Sequence, residues 1–251
     1  MEFEHFFIVG AQRSGTSYLY RLLEEHPEIE MARPLRPEPK FFFVDALFEK
    51  GMEYYGRHFF KQRGWLRGEK SVCYMESEKA ASRIVRFLPK AKILFLLRDP
   101  IQRAISNYWY SVNNGFETSS LSDAFLLEEE RRKDYDHTRV SVSPFAYLHR
   151  GRYIDHIFIY ERYFPSEHIK VMLFEDLIGS LNHFRELCEF LHVGTNFSPS
   201  KLNQVVHTND RPDSELSSEL RCHLITYFAD SNARLARRFG LNLDVWQSFH
   251  T

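Results

Sequence analysis

Short apolar runs alternate with longer amphipathic segments along this chain, and the pattern predicts an α/β fold. The runs Phe6–Val9, Ile93–Leu97 and Ile169–Phe174 are short and nearly continuous, as is typical of strands buried on both faces of a parallel sheet. The segments between them carry apolar residues at helical spacing. We therefore expect a parallel sheet that is flanked by helices on both faces.

The helical spacing predicts where these helices lie. Asp99 followed by Pro100 favours a helix start, because a carboxylate can cap the first turn and proline suits its first position. Arg98 then ends a strand, and Ser106 lies two turns into the helix. The predicted helices include Ser17–His26, Glu76–Leu88, Pro100–Val112, Phe145–Phe164, Asn182–Leu191 and Glu215–Phe239.

The segment Asn113–Ser143 is polar and contains the charged run Glu128–Lys133. Few core positions follow Leu127, so we interpret residues 113–143 as an insertion at the edge of the sheet. The insertion is compatible with a lid on the substrate side, and also with a solvated helix and loop. No linker or repeat interrupts the chain, which predicts one domain over residues 1–251.

The first strand leads into a glycine-bounded turn, Gly10 to Gly15. Such a turn lets successive N–H groups and the positive end of the next helix point at one anion. Thr16 occupies the position where a nucleoside triphosphatase carries the lysine that reaches the β- and γ-phosphates. The basic residue comes earlier, at Arg13. The turn therefore predicts a site for an anionic nucleotide without that lysine and its usual Mg²⁺.

The loop Gln12-Arg13-Ser14-Gly15-Thr16-Ser17 resembles the 5′-phosphosulfate loop of sulfotransferases that use 3′-phosphoadenosine 5′-phosphosulfate (PAPS). A second motif of that family, a strand followed by Arg-x-Pro and a serine-containing helix, is matched at Ile93–Tyr108. The likeness covers most of the chain and is greatest to the heparan-sulfate-type and bacterial branch. It implies that all six loop residues bind the 5′ end of the donor, and that Arg98 and Ser106 bind its 3′-phosphate.

Ligands of open α/β sheets bind beyond the carboxyl ends of the strands, so both motifs are expected to converge on one nucleotide. Two alternatives stay open for these residues. The glycine-bounded turn could be an incidental strand-helix connection, and Arg98 could form a structural ion pair with Asp99.

A third segment, Pro37-Glu38-Pro39-Lys40-Phe41-Phe42-Phe43, resembles the family's Lys-Glu-Pro-His-Phe-Phe-Asp, whose glutamate takes the acceptor's proton. Glu38 is the matching residue, and two flanking prolines hold it on a stiff, extended segment. Pro37, Lys40 and Phe43 depart from the pattern. Lys40 could still stabilise charge on the moving sulfuryl group. An ordinary loop carboxylate is the alternative for Glu38.

The segment Gly68–Tyr74 resembles the family's Glu-Lys-Thr/Ser-Pro-x-Tyr, which implies that Lys70 lies on the acceptor side. A solvated lysine is the alternative. In the region where the family often has a basic loop that closes over the nucleotide, Arg211 is the candidate, although the glycine-rich signature is absent. His149 and His207 are fallback candidates for the base.

Composition narrows the class of protein. The 251 residues are 43% hydrophobic with a net charge of −1, which fits a globular enzyme and gives no support for nucleic-acid or membrane-surface binding. The three cysteines contain no CxxC pair, so we expect reduced core residues. The twelve histidines form no ligand-spaced cluster, and we expect no metal site.

No apolar run approaches the roughly 20 residues that span a bilayer, and the first strand begins almost at Met1. We therefore expect no signal peptide and a cytoplasmic protein. Eukaryotic relatives of the branch carry an N-terminal Golgi anchor, so the resemblance implies a bacterial enzyme or an excised domain.

Together, the motifs favour an enzyme that moves a sulfuryl group from PAPS to an acceptor hydroxyl or amine, leaving adenosine 3′,5′-bisphosphate. The acceptor could be a small molecule, a lipid or a glycan, and no metal is expected. A P-loop nucleotide or small-molecule kinase is one alternative, and a catalytically silent nucleotide-binding module is another. The oligomeric state is left open by the sequence.

Overall fold

The computed structural model of the protein describes residues 4–61, 64–133, 143–204 and 216–249. It contains a five-stranded sheet in the order β2-β3-β1-β4-β5, in which all neighbours run parallel. The strands are β1 (Glu4–Gly10), β2 (Ile29–Met31), β3 (Leu66–Lys70), β4 (Lys92–Leu97) and β5 (Ile169–Leu173). The predicted α/β class with a parallel sheet is thereby confirmed.

Helices fill most of the connections between these strands. None of those in the described ranges has the length and apolarity that a membrane crossing requires. They are α1 (Thr16–Glu24), α2 (Asp45–Phe48), α3 (Gly51–Phe59), α4 (Glu78–Phe87), α5 (Pro100–Asn113), α6 (Leu121–Leu126), α7 (Glu128–Lys133), α8 (Tyr153–Glu161), α9 (Phe174–Leu177), α10 (Leu181–Leu191) and α11 (Ser218–Phe239).

Most predicted elements agree with these bounds, but two differences have clear causes. The predicted helix over Phe145–Phe164 is wrong in its first half, because α8 begins only at Tyr153. Gly151 ends a short 3-10 turn there, and a Cβ on it would lie 2.8 Å from a ring carbon of Phe228. Strands β2 and β3 were not predicted, since charged residues interrupt their apolar pattern.

The chain divides into two compact units. The first unit is drawn from Met1–Leu97 and Ile157–Val206, and the second from Arg98–His156 and His207–Thr251. A single domain over the whole chain stays a prediction.

The first unit contains the sheet, and apolar residues cover both of its faces. One face packs against α1 and α10 in a buried cluster that includes Ile8, Leu96, Leu19 and Leu187. On the other face Phe95 of β4 contacts Tyr160 of α8, with ring centroids 5.3 Å apart. Burial on both faces explains why β1 and β4 are almost continuously apolar.

The second unit has its own apolar core, to which α5, α6 and α11 contribute. Its first helix begins as predicted, because Oδ1 of Asp99 accepts hydrogen bonds from the N–H groups of Ile101 (2.9 Å) and Gln102 (3.1 Å). The other oxygen of Asp99 accepts from the N–H of Ser248 at 3.0 Å. Asp99 therefore both starts α5 and holds the C-terminal segment.

The predicted insertion at 113–143 is helical in part, with α6 and α7, and residues 134–142 lie outside the described ranges. Its described part is not simply solvated. The buried carboxylate of Glu117 accepts two hydrogen bonds from Arg131, both 2.9 Å long, and one from the Tyr147 hydroxyl at 2.8 Å. These bonds tie the segment to the second unit, and a role as a lid stays a prediction.

Replacing Asp99 by Ala should lower the free energy of unfolding by about 2–3 kcal/mol. The change removes a helix cap, worth about 1 kcal/mol or more, and leaves the buried N–H of Ser248 without its acceptor. Asp99→Asn is the matched control, because its one oxygen can still cap α5. Urea unfolding should rank the variants wild type, Asn, Ala; equal stabilities of all three would contradict the assigned cap.

Candidate active site

The loop between β1 and α1 has the backbone geometry of an anion-binding turn. The N–H of Ala11 donates to the carbonyl of Leu96 at 2.8 Å, which fixes the start of the loop to β4. Arg13 and Gly15 have φ angles of 69° and 84°. Left-handed residues in such a turn direct successive N–H groups into one concavity.

Packing explains why position 15 is a glycine. A Cβ there would lie 2.3 Å from the ring of Phe174, and the positive φ is also unfavourable for other residues. Within the described residues, no side chain caps the N terminus of α1, and the buried hydroxyl of Ser14 has no hydrogen-bond partner. A helix N terminus without a side-chain cap and an unpaired hydroxyl fit an anionic group at this point.

The neighbouring strand β3 brings Lys70 beside the end of β1. The two strands are in register with Ile8 opposite Lys70, and the N–H of Ser71 donates to the carbonyl of Ile8 at 3.2 Å. Since β1 ends at Gly10, Lys70 lies at the same carboxyl edge of the sheet as the loop.

The remaining predicted loop residues lie close together along the chain. Thr16 and Ser17 are the first two residues of α1, and Gln12 lies in the loop before it.

Glu38 and Lys70 form an ion pair, through Oε1 of Glu38 and Nζ of Lys70. The other carboxylate oxygen accepts a hydrogen bond from the N–H of Val72 at 2.9 Å. The side chains are 14% and 4% exposed, respectively, so the alternative of a solvated Lys70 is wrong. Glu38 is held in place from both oxygens, and its role as base stays a prediction.

Lys40 follows Glu38 in the same segment and has a φ of 53°. Its N–H donates to the hydroxyl of Ser71 at 2.9 Å. The backbone of the Glu38 segment is thus fixed to the residues that follow β3. The proposed contribution of the Lys40 side chain to charge stabilisation stays a prediction.

The structure also shows a buried carboxylate that the sequence analysis did not single out. Glu69 is fully buried and accepts hydrogen bonds from the hydroxyls of Tyr55 (2.8 Å), Ser71 (2.6 Å) and Tyr74 (2.6 Å). We call these four residues the Glu69 cluster. Alternation along β3 places Glu69 on the opposite face from Lys70, but the sequence could not show this because β3 itself was not predicted.

Burial has a large effect on the protonation of Glu69. Desolvation raises the pKa of Glu69 to about 7, the nearby Glu38 carboxylate also raises it, and the three hydroxyl hydrogen bonds oppose the shift. The ionised form is therefore the one that the surroundings penalise.

Arg98 and Ser106, the predicted ligands of the second donor motif, belong to the second unit. Arg98 directly follows β4, and its carbonyl accepts a hydrogen bond from the Tyr153 hydroxyl at 2.7 Å. Ser106 is buried on α5. The convergence of these residues with the loop stays a prediction.

The fallback and loop candidates are only partly described. His149 packs against His156 in the second unit, with ring centroids 5.1 Å apart. His207 and Arg211 lie outside the described residues.

Metal-ligating and redox-active groups are sparse in the described part of the chain. There, His, Cys, Asp and Glu form no group of three or more that could hold a metal ion. Cys73 and Cys188 are buried as expected, whereas Cys222 is exposed on α11, so the expectation of a core residue was wrong there. Independence from metal stays a prediction.

Glu69→Gln should change how stability depends on pH. Since the pKa of Glu69 is higher in the folded chain (about 7) than its ordinary 4.5, folding takes up a proton between these values. The wild type should therefore lose stability relative to the Gln variant as pH rises from 4.5 towards 7. Urea unfolding at several pH values measures this difference, and a difference that is constant with pH would contradict the assignment.

Comparisons with known proteins agree with this geometry. The family model for the sulfotransferase domain matches residues 3–210. The chain is 30% identical over 180 residues to human heparan sulfate glucosamine 3-O-sulfotransferase 6, covering 70% of this chain and 48% of that protein. It is 26% identical over 270 residues to mouse bifunctional heparan sulfate N-deacetylase/N-sulfotransferase 4, covering 96% and 31%. The chain thus spans less than half of either relative.

A solved structure extends the likeness to the whole chain. The crystal structure of a sulfotransferase from Alicyclobacillus acidocaldarius is 31% identical and superposes with a TM-score of 0.80, covering 98% of this chain and 100% of that one. The kinase alternative is not favoured by these matches. With its glycine-bounded loop, its parallel sheet and a family match over most of its length, the chain belongs to the sulfotransferase family.

Proposed function

We propose that this chain transfers the sulfuryl group of PAPS to a hydroxyl or amine of an acceptor, without a divalent metal. In the step, the acceptor oxygen or nitrogen attacks sulfur and forms the new bond. The bond between sulfur and the 5′-phosphate oxygen breaks, and the electron pair leaves with adenosine 3′,5′-bisphosphate. The acceptor's proton passes to a carboxylate of the protein.

The loop at the start of α1 is suited to the leaving phosphate. The N–H groups of Gly15 and Thr16, the hydroxyls of Ser14, Thr16 and Ser17, and the helix N terminus would stabilise its negative charge. The N–H of Ser14 donates instead to the carbonyl of Ala11 at 3.2 Å. Arg13 would add a guanidinium, and Gln12 completes the loop. In this proposal Arg98 and Ser106 bind the 3′-phosphate, because a guanidinium and a hydroxyl are good phosphate ligands, and Arg211 contributes near the nucleotide.

The observation that carries the proposal is the Glu38–Lys70 pair at the carboxyl edge of the sheet. Glu38 is mostly buried, but its side chain is 14% exposed, so the residue is not closed to an acceptor. Each carboxylate oxygen has two lone-pair directions, which leaves room for a proton beside the bonds from Lys70 and Val72. We infer that Glu38 is the base, that Lys70 orients it, and that Lys40 stabilises charge on the moving sulfuryl group.

The acceptor class is tested directly with labelled PAPS. Glycan, lipid and small-molecule acceptors are assayed in excess EDTA, with glycans first because two relatives are named for heparan sulfate. Transfer to one class supports the proposal and identifies the acceptor. Binding of adenosine 3′,5′-bisphosphate without transfer to any class would favour a silent module, and binding of ATP·Mg instead would favour a kinase.

Glu38→Gln should lower turnover by roughly 10²–10⁴-fold, the usual range for general acid–base catalysis. The amide keeps the size of the side chain but cannot take the acceptor's proton, so donor affinity should stay within a few-fold. Steady-state kinetics and calorimetry with adenosine 3′,5′-bisphosphate measure the two effects.

Glu53→Gln is the matched control, because Glu53 is an exposed carboxylate on α3 whose ion pair with Arg57 is also exposed. It should keep wild-type turnover. If Glu38→Gln retains more than about a tenth of wild-type turnover while chemistry limits the rate, another residue is the base, and His149 and His207 are the next to test.

Arg98→Ala should weaken the binding of adenosine 3′,5′-bisphosphate by about 1.5–3 kcal/mol, as expected when a hydrogen bond to a charged group is lost. Adenosine 5′-monophosphate lacks the 3′-phosphate, so its affinity should change little. Calorimetry with both ligands separates the two cases. Equal losses for both would mean that Arg98 does not bind the 3′-phosphate.

A further inference from the structure

The directions of the hydrogen bonds in the Glu69 cluster are fixed by chemistry. The Ser71 hydroxyl accepts from the N–H of Lys40 at 2.9 Å, and the Tyr74 hydroxyl accepts from the N–H of Phe42 at 2.9 Å. A backbone N–H can only donate, so each hydroxyl has its single proton left for Glu69. Both hydroxyls donate to the same oxygen, Oε1, at 2.6 Å.

These bonds form two relays from one buried oxygen to the Glu38 segment. One relay runs from Glu69 through Ser71 to the backbone of Lys40, and the other runs through Tyr74 to the backbone of Phe42. Glu38 lies two residues before Lys40, and Pro39 between them restricts the backbone. Fixing Lys40 and Phe42 therefore limits the directions that the Glu38 carboxylate can take.

Tyr55 differs from the other members of the cluster. Its hydroxyl donates to the second oxygen, Oε2, at 2.8 Å, and among the described residues this is its one hydrogen bond. Tyr55 and Tyr74 thus satisfy the same carboxylate, and both are essentially buried, at 1% and 0% exposure. Of the two hydroxyls, only that of Tyr74 also bonds to the backbone of the Glu38 segment. The Tyr55 ring packs against Phe41 and Phe42, and Tyr55→Phe keeps this packing.

Glu69 itself cannot meet an acceptor, because no part of its side chain is exposed. A fully buried carboxylate is costly to keep, and apolar residues of similar size could fill the same space. Ser71 and Tyr74 connect Glu69 to the backbone that carries Glu38. This connection suggests a role for the carboxylate that an apolar residue could not fill.

We propose, on the basis of the function proposed above, that Glu69 is a positioning residue for sulfuryl transfer. Through Ser71 and Tyr74 it fixes the backbone at Lys40 and Phe42, and thereby aims the Glu38 carboxylate at the acceptor. Glu38 takes the proton, and Glu69 acts only through the segment that carries it.

The pair Tyr74→Phe and Tyr55→Phe tests this proposal. Each variant removes one hydroxyl bond to Glu69 from a buried ring, so both should lower Tm. Tyr74→Phe should lower it more, because the Phe42 N–H also loses its acceptor. Tyr74→Phe also breaks the relay from Glu69 to the backbone of Phe42. It should lower kcat by about 10-fold or more, since a small misplacement of a catalytic group lowers the rate strongly. Tyr55→Phe should keep kcat within about two-fold. Both should bind adenosine 3′,5′-bisphosphate like the wild type.

The assays are run at about pH 8, above the pKa of Glu69, so that its carboxylate is ionised. Ser71→Ala is the second variant should Tyr74→Phe not fold, because it cuts the other relay and should lower kcat in the same way. Hydrogen exchange gives a readout that does not depend on activity: Tyr74→Phe should speed exchange of the Phe42 amide, and Tyr55→Phe should not.

The outcomes separate the two proposals. A wild-type chain that transfers no sulfuryl group overturns the proposed function. An active wild type with equal kcat values in Tyr74→Phe and Tyr55→Phe overturns the positioning role of Glu69 alone. Unchanged exchange of the Phe42 amide in Tyr74→Phe overturns the relay itself.

Discussion

The parallel pairing of β1 with β3 is the constraint on which the candidate site depends. Its register places Ile8 opposite Lys70, so the lysine and the loop between β1 and α1 lie at one edge of the sheet. Side chains alternate along a strand, and a shift of one residue would exchange the faces of Glu69 and Lys70. Both residues have specific buried partners. The contacts on either face of β3 therefore oppose a shift of its register.

The two neighbouring carboxylates are treated differently by their surroundings. Glu38 is paired with the Lys70 cation and is partly open to solvent. Glu69 is satisfied by three neutral hydroxyls and is closed to solvent. Of the two, only Glu38 is open to solvent and could meet an acceptor. Glu69 could act only through the residues that it contacts.

Much of the fold could be predicted from the sequence, since β1, β4 and β5 are apolar on both faces. Strands β2 and β3 could not, because their charged residues are buried against tertiary partners. Arg67 and Glu30, for example, lie 3.8 Å apart in an almost fully buried pair. The helix over Phe145–Phe164 was wrong because the contact of Phe228 with Gly151 is not visible in local spacing.

The candidate site was likewise predicted only in part. The loop, Glu38 and Lys70 were recognised because each belongs to a short local motif, and the structure brings the last two together. Glu69 was missed because two of its hydrogen-bond partners, Tyr55 and Tyr74, lie on other elements of the fold. A motif shows which residue types are present, whereas the direction of a hydrogen bond depends on the folded chain.

The contact of Phe174 with Gly15 restricts substitution at position 15. The ring closes the space in which any side chain at position 15 would lie, and it also packs against Tyr18 of α1, with centroids 6.1 Å apart. The conformation of the loop is therefore set partly by Phe174, the first residue of α9, which directly follows β5. Both this ring and the φ of 84° at position 15 favour glycine there, so a smaller side chain at 174 alone would not admit another residue at 15.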